Sequence, residues 1–287
     1  MKIKSFSYYL FFIFIFQSCS NHGQLNLIHK LPKKLKENSG IVSYSQSSAW
    51  FIEDSGNSDN IYKTDFQGNI IQQLDVKNGK NIDWEDLSND SSGNLYIGDF
   101  GNNDNSRKNL SILKLSNPEI EKGEKINAEF INFSYPEQKK FPPKKKKLLY
   151  DAEAFFHHKG HLYIFTKNRT DPFTGKTLLY SVPDKKGDYK AKLLGEINLC
   201  NDWDTCRITS AAISPNGKTI VLLSYGKLWK ITNFSIKAIA EGNIKEIDLG
   251  IRTQLESVCF TDNNTLLLSD EVREGTGGNL YSFNLSF

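Results

Sequence analysis

The sequence predicts an all-β protein, a single β-propeller built from four-stranded antiparallel blades. Three observations predict it. Similar short segments recur along the chain, each is followed by a second apolar run, and the joins between the two runs are rich in Asn, Asp, Ser, Gly and Pro. Those residues are the ones that tight hairpin turns require. Repeated groups of four consecutive antiparallel strands are typical of propeller blades.

The repeated unit occurs five times. Its first strand reads, in chain order, "NSGIVSY" (38–44), "DWEDLSND" (83–90), "DAEAFFHH" (151–158), "ITSAAISP" (208–215) and "LESVCFTD" (255–262). Its second strand reads "SAWFIED", "GNLYIGD", "GHLYIFT", "KTIVLLS" and "NTLLLSD". A third run follows in every unit and a fourth in most of them, which completes the blade.

The last unit ends at Phe287 after its third strand. The segment "QLNLIHKLP" (24–32) has the character of the missing strand, and we expect it to close the ring as the outer strand of the last blade. This arrangement gives five blades. Six blades are the alternative, because the second unit is long enough to contain further strands.

The first residues differ from the rest of the chain. Lys2 and Lys4 precede the apolar run "YYLFFIFIF" and "QSC", an order typical of a secretory signal rather than of a membrane-spanning helix, which needs about 20 residues. "FQSC" resembles a bacterial lipobox, so we expect a signal peptide over 1–18, a lipidated Cys19, a tether over 19–23 and a propeller over 24–287. An ordinary signal peptide with an incidental cysteine is the alternative.

Lipidation, with palmitate among the acyl chains, would anchor the protein to a bacterial membrane in the cell envelope. By comparison with exported bacterial lipoproteins, the absence of acidic residues in "SNHGQLNL" favours the periplasmic side, with the outer membrane preferred. The net charge is +3, and removing Lys2 and Lys4 lowers it by two. A nearly neutral mature chain argues against nucleic acid as a partner.

The remaining cysteines fit an exported protein. Cys200 and Cys206 flank the short stretch "NDWDT", which predicts a disulfide. Cys259 lies inside the apolar "ESVCF" and is expected to be a buried thiol.

The heads of the five first strands, "SGI", "DWEDL", "DAEAF", "ITSAAI" and "LESVCF", resemble those of the SdiA-regulated family of exported bacterial propellers. The stretch from Trp84–Asp86 to Gly98–Asn102 is also similar to the "WED…GDxGxN" stretch of phytase-like esterase propellers. The resemblance covers nearly the whole mature chain and implies a propeller. The second family also implies an esterase-like activity.

Six carboxylates are expected to converge at one mouth of the central channel. Glu85, Glu153 and Glu256 head first strands, whereas Asp54, Asp99 and Asp270 close second strands. In a propeller, the start of each innermost strand and the end of the next strand lie on the same face. Clustered carboxylates disfavour one another's ionised forms unless a cation compensates them.

Three interpretations of these acids stay open. They could bind Ca²⁺, with Glu85, Asp99, Glu153 and Glu256 as the metal ligands, because Ca²⁺ prefers oxygen ligands. They could contact a ligand directly, together with other candidates from the same loops: Asp54, Arg107, Arg169, Tyr225 and Asp270. They could instead bond backbone amides and cations such as Lys167 and Arg273, and so hold the blades together.

Two functions follow from these features. The first is a non-catalytic lipoprotein that binds a small molecule or a periplasmic protein, since the sequence lacks a G-x-S-x-G elbow, an H-E-x-x-H helix and a phosphate loop. The second is a Ca²⁺-assisted hydrolase of an ester, lactone or phosphoester, in which Glu85 or Asp99 would activate water. The histidines of "HHKGH" (157–161) are expected on the opposite face, in an exposed hairpin rather than in a metal site.

Overall fold

The computed structural model describes residues 21–286, so Cys19 and the predicted signal peptide lie outside the described residues. Within this range the protein is a five-bladed β-propeller, as predicted. Four short 3-10 helices lie in its loops, at Lys33–Leu35, Pro118–Ile120, Lys145–Lys147 and Ile239–Glu241. No helix between residues 21 and 286 is long and apolar enough to cross a membrane.

Each blade is a meander that runs outward from the channel. Blade 1 contains β2 (Asn38–Val42), β3 (Ser48–Glu53), β4 (Asn60–Asp65) and β5 (Ile70–Val76). Blade 2 contains β6 (Trp84–Asn89), β7 (Leu95–Asp99), β8 (Leu110–Leu115) and β10 (Ala128–Ser134). Blade 3 contains β11 (Asp151–His158), β12 (His161–Lys167), β13 (Lys176–Pro183) and β15 (Lys192–Asn198).

Blade 4 contains β16 (Ser210–Ile213), β17 (Thr219–Ser224), β18 (Lys227–Thr232) and β19 (Asn243–Asp248). Blade 5 contains β20 (Leu255–Phe260), β21 (Thr265–Asp270) and β22 (Asn279–Asn284), and its outer strand is β1 (Asn26–Lys30), which pairs antiparallel with β22. The N-terminal segment therefore closes the ring, as the sequence predicts.

Two short strands extend the outer edges of blades 1 and 2. β9 (Lys125–Ile126) pairs parallel with β5, and β14 (Gly187–Lys190) pairs parallel with β10. In both cases the added strand comes from the blade that follows in the chain. The extra length of the second unit thus forms an edge strand on blade 1 and not a sixth blade.

The hydrophobic core lies between neighbouring blades, in five clusters. Because side chains alternate along a strand, Trp50 and Ile52 pack toward blade 2 while Ala49 and Phe51 pack toward blade 5. Between blades 2 and 3, the rings of Phe100 and Phe155 meet edge to face with centroids 5.3 Å apart. Such packing on both faces explains why the inner strands read as continuous apolar runs rather than as alternating ones.

The predicted roles of three cysteines are confirmed. Cys200 and Cys206 form a disulfide in the loop between β15 and β16. Cys259 is a buried free thiol in β20, and burial raises its pKa to about 12.

Candidate functional site

Four of the five innermost strands contain a β-bulge at the same place. The strand register shifts between Asn38 and Gly40, between Trp84 and Asp86, between Ala152 and Ala154, and between Leu255 and Ser257. The bulged residues are Ser39, Glu85, Glu153 and Glu256. A bulge re-aims the side chain of its extra residue, and all four of these side chains line one cavity.

This cavity, which we call the acidic mouth, has a volume of about 170 Å³. The innermost strand of blade 4, β16, has no bulge and pairs in regular register from Ser210 onward. Blade 4 contributes Tyr225, which follows β17, to the cavity. The acidic mouth is lined by Ser39, Asp54, Glu85, Asn103, Glu153, Lys167, Arg169, Tyr225, Gln254, Glu256 and Glu271.

A glycine makes room for the acids. A Cβ atom at Gly101 would overlap the carboxylates of Glu85 and Asp83. The glycine in "GDFGNND" therefore allows the backbone to pass close to these two side chains. Arg107 then fixes the loop, since its Nη1 donates to the carbonyl oxygen of Gly101 at 2.7 Å.

One half of the acidic mouth is compensated by cations. Glu153 is ion-paired with Lys167, and its other oxygen lies 2.8 Å from Nη2 of Arg169. Arg169 also contacts Asp151 through Nε at 2.7 Å. Burial lowers the pKa of Lys167, but the charges of Glu153 and Glu256 outweigh it and the net pKa is raised. Lys167 and Arg169 are therefore charged at neutral pH.

Tyr225 links this half to blade 5. Its hydroxyl donates to Oε1 of Glu256 at 2.8 Å and lies 3.3 Å from Nζ of Lys167. Gln254 also donates to Oε1 of Glu256, at 3.2 Å, and to Oε2 of Glu271, at 2.8 Å. A continuous polar network thus runs from blade 3 through blade 4 to blade 5.

Across residues 21–286 the acids of the other half are not ion-paired, although the charges of Arg107 and Arg169 partly offset the effect of burial on the pKa of Asp83. Asp54, Asp83 and Glu85 each offer a carboxylate oxygen, and these oxygens lie within 4.8 Å of one another. Across residues 21–286, every ion pair involves other acids. Glu85 is 7% exposed, and within the same residues its carboxylate receives no hydrogen bond. We call these three residues the acidic triad.

Burial and mutual repulsion raise the pKa values of the acids in this region. Burial raises the pKa of Asp54 to about 7, and the nearby charge of Asp83 adds to the effect. Burial raises the pKa of Glu271 to about 8, with Glu256 and Asp54 contributing. Burial and the charge of Glu153 raise the pKa of Glu85 well above its usual range. The ionised forms of these groups are therefore disfavoured unless a cation compensates them.

Some residues named from the sequence have other surroundings. Asp99, Arg107 and Asp270 are not among the described residues that line the acidic mouth. Asp99 is ion-paired with Arg107 at 2.9 Å and accepts the N–H of Asp83 at 3.1 Å. Asp270 accepts the N–H of Asn279 at 2.8 Å and the hydroxyl of Tyr281 at 3.0 Å. These contacts fix loops within blades 2 and 5. Asp99 and Asp270 therefore bond backbone amides and neighbouring side chains, as the third of the interpretations given above expects.

The other predicted residues do face the acidic mouth: Asp54, Glu85, Glu153, Glu256, Arg169 and Tyr225. Their metal-binding and ligand-binding roles stay predictions. Sequence reasoning missed Glu271 and Gln254 as lining residues. Glu271 directly follows the last residue of β21, just as Asp54 directly follows the last residue of β3. A search for the equivalent of Asp54 in every blade would therefore have identified Glu271.

Asp86 lies at the centre of the channel and was not singled out by the sequence. Its buried carboxylate accepts the N–H groups of Leu87 at 2.9 Å, Phe155 at 3.2 Å and Ala211 at 3.4 Å, and the hydroxyl of Ser210 at 3.1 Å. Ser210 in turn accepts the N–H of Val258 at 3.1 Å. Asp86 therefore ties blades 2, 3 and 4 together directly, and blade 5 through Ser210.

Blade 1 contacts the backbone next to Asp86 through Gly40. A Cβ atom at Gly40 would lie 2.7 Å from the backbone nitrogen of Leu87, which is too close for any side chain. All five innermost strands thus converge on the backbone and carboxylate of Asp86.

Fold and site together define a β-propeller with an acidic channel mouth. Solved propeller structures are similar to it over most of their length. The PQQ-bound aldose sugar dehydrogenase of Streptomyces coelicolor matches with a TM-score of 0.50 and 10% identity, covering 91% of this chain and 97% of the other. The arabinobiose-complexed α-L-arabinanase of Penicillium chrysogenum matches with a TM-score of 0.50 and 13% identity, covering 92% and 83%.

At these identities the likeness concerns the fold. No protein-family model matches the chain, and a comparison with curated proteins finds no match.

Proposed function

We propose that the protein is a lipid-anchored binding protein of the bacterial cell envelope whose acidic triad binds a divalent cation, with Ca²⁺ the best match. The observation that carries the proposal is the acidic triad itself, three carboxylates of which Glu85 is 93% buried and none is ion-paired within residues 21–286. Protonation of these acids is the competing way to balance their charge.

The donor set selects the kind of ion. Asp54, Asp83 and Glu85 offer oxygen atoms only. Hard cations such as Ca²⁺ prefer oxygen ligands and take six to eight of them, whereas softer metals prefer nitrogen or sulfur. Three carboxylates leave coordination positions for water or for oxygen atoms of a ligand. A small polar molecule is therefore the kind of ligand that the acidic mouth would bind.

The anchor is proposed on the sequence alone. Cys19 follows an apolar run and a small residue, the arrangement that resembles a lipobox. The backbone N–H of Gln24 already bonds to Leu249 of the propeller at 2.7 Å. A lipid on Cys19 would therefore hold the propeller close to the membrane.

Replacing Cys19 by serine should release the protein from the membrane. Serine lacks the thiol that receives the diacylglyceryl group, so the variant should move to the soluble envelope fraction while the wild type stays with the membranes. Fractionation followed by immunoblotting measures this. A Cys19→Ser protein that still sediments with membranes would show that the lipobox interpretation is wrong.

A Ca²⁺-assisted hydrolase is the second candidate. It is favoured by Glu85, a carboxylate of the acidic triad with a raised pKa that lines the same cavity as the charged Lys167 and Arg169. There the cation would polarise an ester or phosphoester oxygen, and Glu85 could accept a proton from water. The resemblance to phytase-like esterases supports the same candidate.

Turnover assays with Glu85→Gln separate the two functions. We expect no Ca²⁺-dependent hydrolysis of nitrophenyl esters, lactones or phosphoesters by the wild type. The matched control is Glu129→Gln, which changes an exposed glutamate of β10. Hydrolysis that requires Ca²⁺, survives in Glu129→Gln and is lost in Glu85→Gln would replace the binding function by the hydrolase.

A further inference from the structure

A second and larger cavity lies at the opposite end of the channel. Its volume is about 690 Å³, and it is lined mainly by the turns that join the first two strands of blades 2, 3, 4 and 5, with Val42 and Ser43 of blade 1. None of its lining residues belongs to the acidic mouth. We call it the histidine mouth, because two histidines of the "HHKGH" segment, His157 and His158, lie on its wall.

Three potential metal ligands meet at the histidine mouth. Asp90 follows β6 in blade 2, His157 lies near the end of β11 in blade 3, and Asp184 follows β13. One ligand atom from each lies within 4.8 Å of the others. Nε2 of His157 is 2.9 Å from Oδ2 of Asp184, the length of a hydrogen bond, so the two atoms need to move apart only slightly to bind one metal ion together. The side chain of His157 is only 11% exposed, so the exposed hairpin expected from the sequence is wrong for this residue.

Neighbouring groups hold these side chains in place. The ring of His157 stacks on Tyr96, with centroids 5.3 Å apart and planes 9° apart. Oδ2 of Asp90 accepts hydrogen bonds from the hydroxyl of Tyr96 at 2.9 Å and from Nδ2 of Asn94 at 2.7 Å. Hydrogen bonds to ligating carboxylates and fixed histidine rings are the usual support of protein metal sites. The orientation of His157 is thus set by packing before any ion binds.

We propose that Asp90, His157 and Asp184 bind a divalent transition-metal ion, with Zn²⁺ the best match. A neutral imidazole nitrogen with two carboxylates supplies a mixed nitrogen and oxygen donor set, which suits Zn²⁺ better than Ca²⁺. The two carboxylates neutralise the charge of the ion. Three protein ligands leave a coordination position that opens on the 690 Å³ cavity. The site is separate from the acidic triad and does not depend on the proposed function.

The competing explanation is that His157 and Asp184 form only a hydrogen bond with each other. In that case Asp90 only stabilises the turn between β6 and β7, where it accepts the N–H groups of Ser92 and Asn94. Asp65 forms a similar turn in blade 1, where it accepts the N–H groups of Gln67 and Asn69. If the three residues bind one metal ion, substitution of either Asp90 or Asp184 should weaken metal binding. If they form only hydrogen bonds, neither substitution should affect metal binding.

Zn²⁺ titration of the full-length protein by calorimetry is the test, with Ca²⁺ present to occupy the acidic triad. We expect one Zn²⁺ per chain. The affinity should fall by about a hundredfold or more in His157→Ala, and by about tenfold or more in Asp184→Asn and Asp90→Asn. Co²⁺ in place of Zn²⁺ should give visible absorption bands that are lost in the same variants. Asp184→Asn can still hydrogen-bond to His157, and circular dichroism verifies folding.

Two controls keep the result specific. His161→Ala changes an exposed histidine of the same hairpin, and Cys259→Ser removes the thiol that lines the same cavity. Both should bind Zn²⁺ as the wild type does. A wild type that binds no Zn²⁺, a folded Asp184→Asn protein with unchanged affinity, or equal losses in His161→Ala or Cys259→Ser would overturn the proposal.

Discussion

Replacing Asp86 by alanine should lower the free energy of unfolding by about 3–5 kcal/mol, because each buried donor left without a partner costs about 1–3 kcal/mol and part of that cost is relieved by relaxation of the chain. The carboxylate of Asp86 accepts three backbone N–H groups and one hydroxyl, all buried. Alanine would leave these four donors without partners at the point where the innermost strands converge. For a protein of this size the melting temperature should fall by about 10 °C.

Urea unfolding of both proteins measures this effect. The control is Asp262→Ala, which removes an exposed aspartate that also accepts two backbone N–H groups, those of Asn264 and Thr265. Water can replace these lost hydrogen bonds, so the control should cost about 1 kcal/mol or less. Equal losses in the two variants would contradict the role of Asp86 as the link between blades.

The metal-free protein should become less stable as the pH rises from about 4 to about 8. The pKa of Asp54 is raised from 3.8 to about 7 and that of Glu271 from 4.5 to about 8. Between these values the folded protein binds more protons than the unfolded chain, so stability is full below pH 4 and is lost as the pH rises. One pKa unit corresponds to about 1.4 kcal/mol. Since both carboxyls are partly exposed to solvent, we expect a combined loss of about 3 kcal/mol.

Thermal unfolding in the presence of EDTA, recorded across this pH range, measures the slope. Asp54→Asn should flatten it, because asparagine does not titrate. Glu129→Gln changes an exposed glutamate and should leave the slope as in the wild type. Ca²⁺ should restore stability at pH 8 and have little effect at pH 4, where the acids are protonated. A melting temperature that rises with pH in EDTA would contradict the raised pKa values.

The ring of blades could be predicted because each hairpin carries its own turn residues and each unit repeats the same order of runs. The closure by residues 24–32 followed from the missing fourth strand of the last unit and is confirmed by the pairing of β1 with β22. The edge strands β9 and β14 could not be predicted. They are two and four residues long, and their parallel pairing depends on contacts between neighbouring blades.

The position of the acidic mouth could be predicted from the sequence, but the full set of residues that line it could not. Heading a first strand was enough to place Glu85, Glu153 and Glu256 at one mouth of the channel. Which residue at the end of a second strand faces the cavity depends on the alternation of side chains along that strand. Asp99 and Asp270 are the last residues of β7 and β21, whereas Asp54 and Glu271 come one position after the ends of β3 and β21 and face the acidic mouth.

Asp86 shows a different limit of sequence reasoning. It directly follows Glu85, and nothing in "DWEDL" distinguishes a carboxylate that faces the cavity from one that faces backbone amides. The bulge at Glu85 makes the difference, since it places consecutive residues in two unlike surroundings. Among residues 21–286, the carboxylate of Glu85 has no hydrogen-bond or ion-pair partner, whereas that of Asp86 has four donors.

The most direct measurement is a Ca²⁺ titration of the chelator-stripped protein by calorimetry at pH 8, with Glu85→Gln and Glu129→Gln in parallel. If the acidic triad binds the ion, the wild type and Glu129→Gln take up one Ca²⁺ per chain with a dissociation constant of about 1 mM or lower, and Glu85→Gln takes up none. A wild type without Ca²⁺ binding, or a Glu85→Gln protein that binds as the wild type does, would show that protons and neighbouring groups balance these acids.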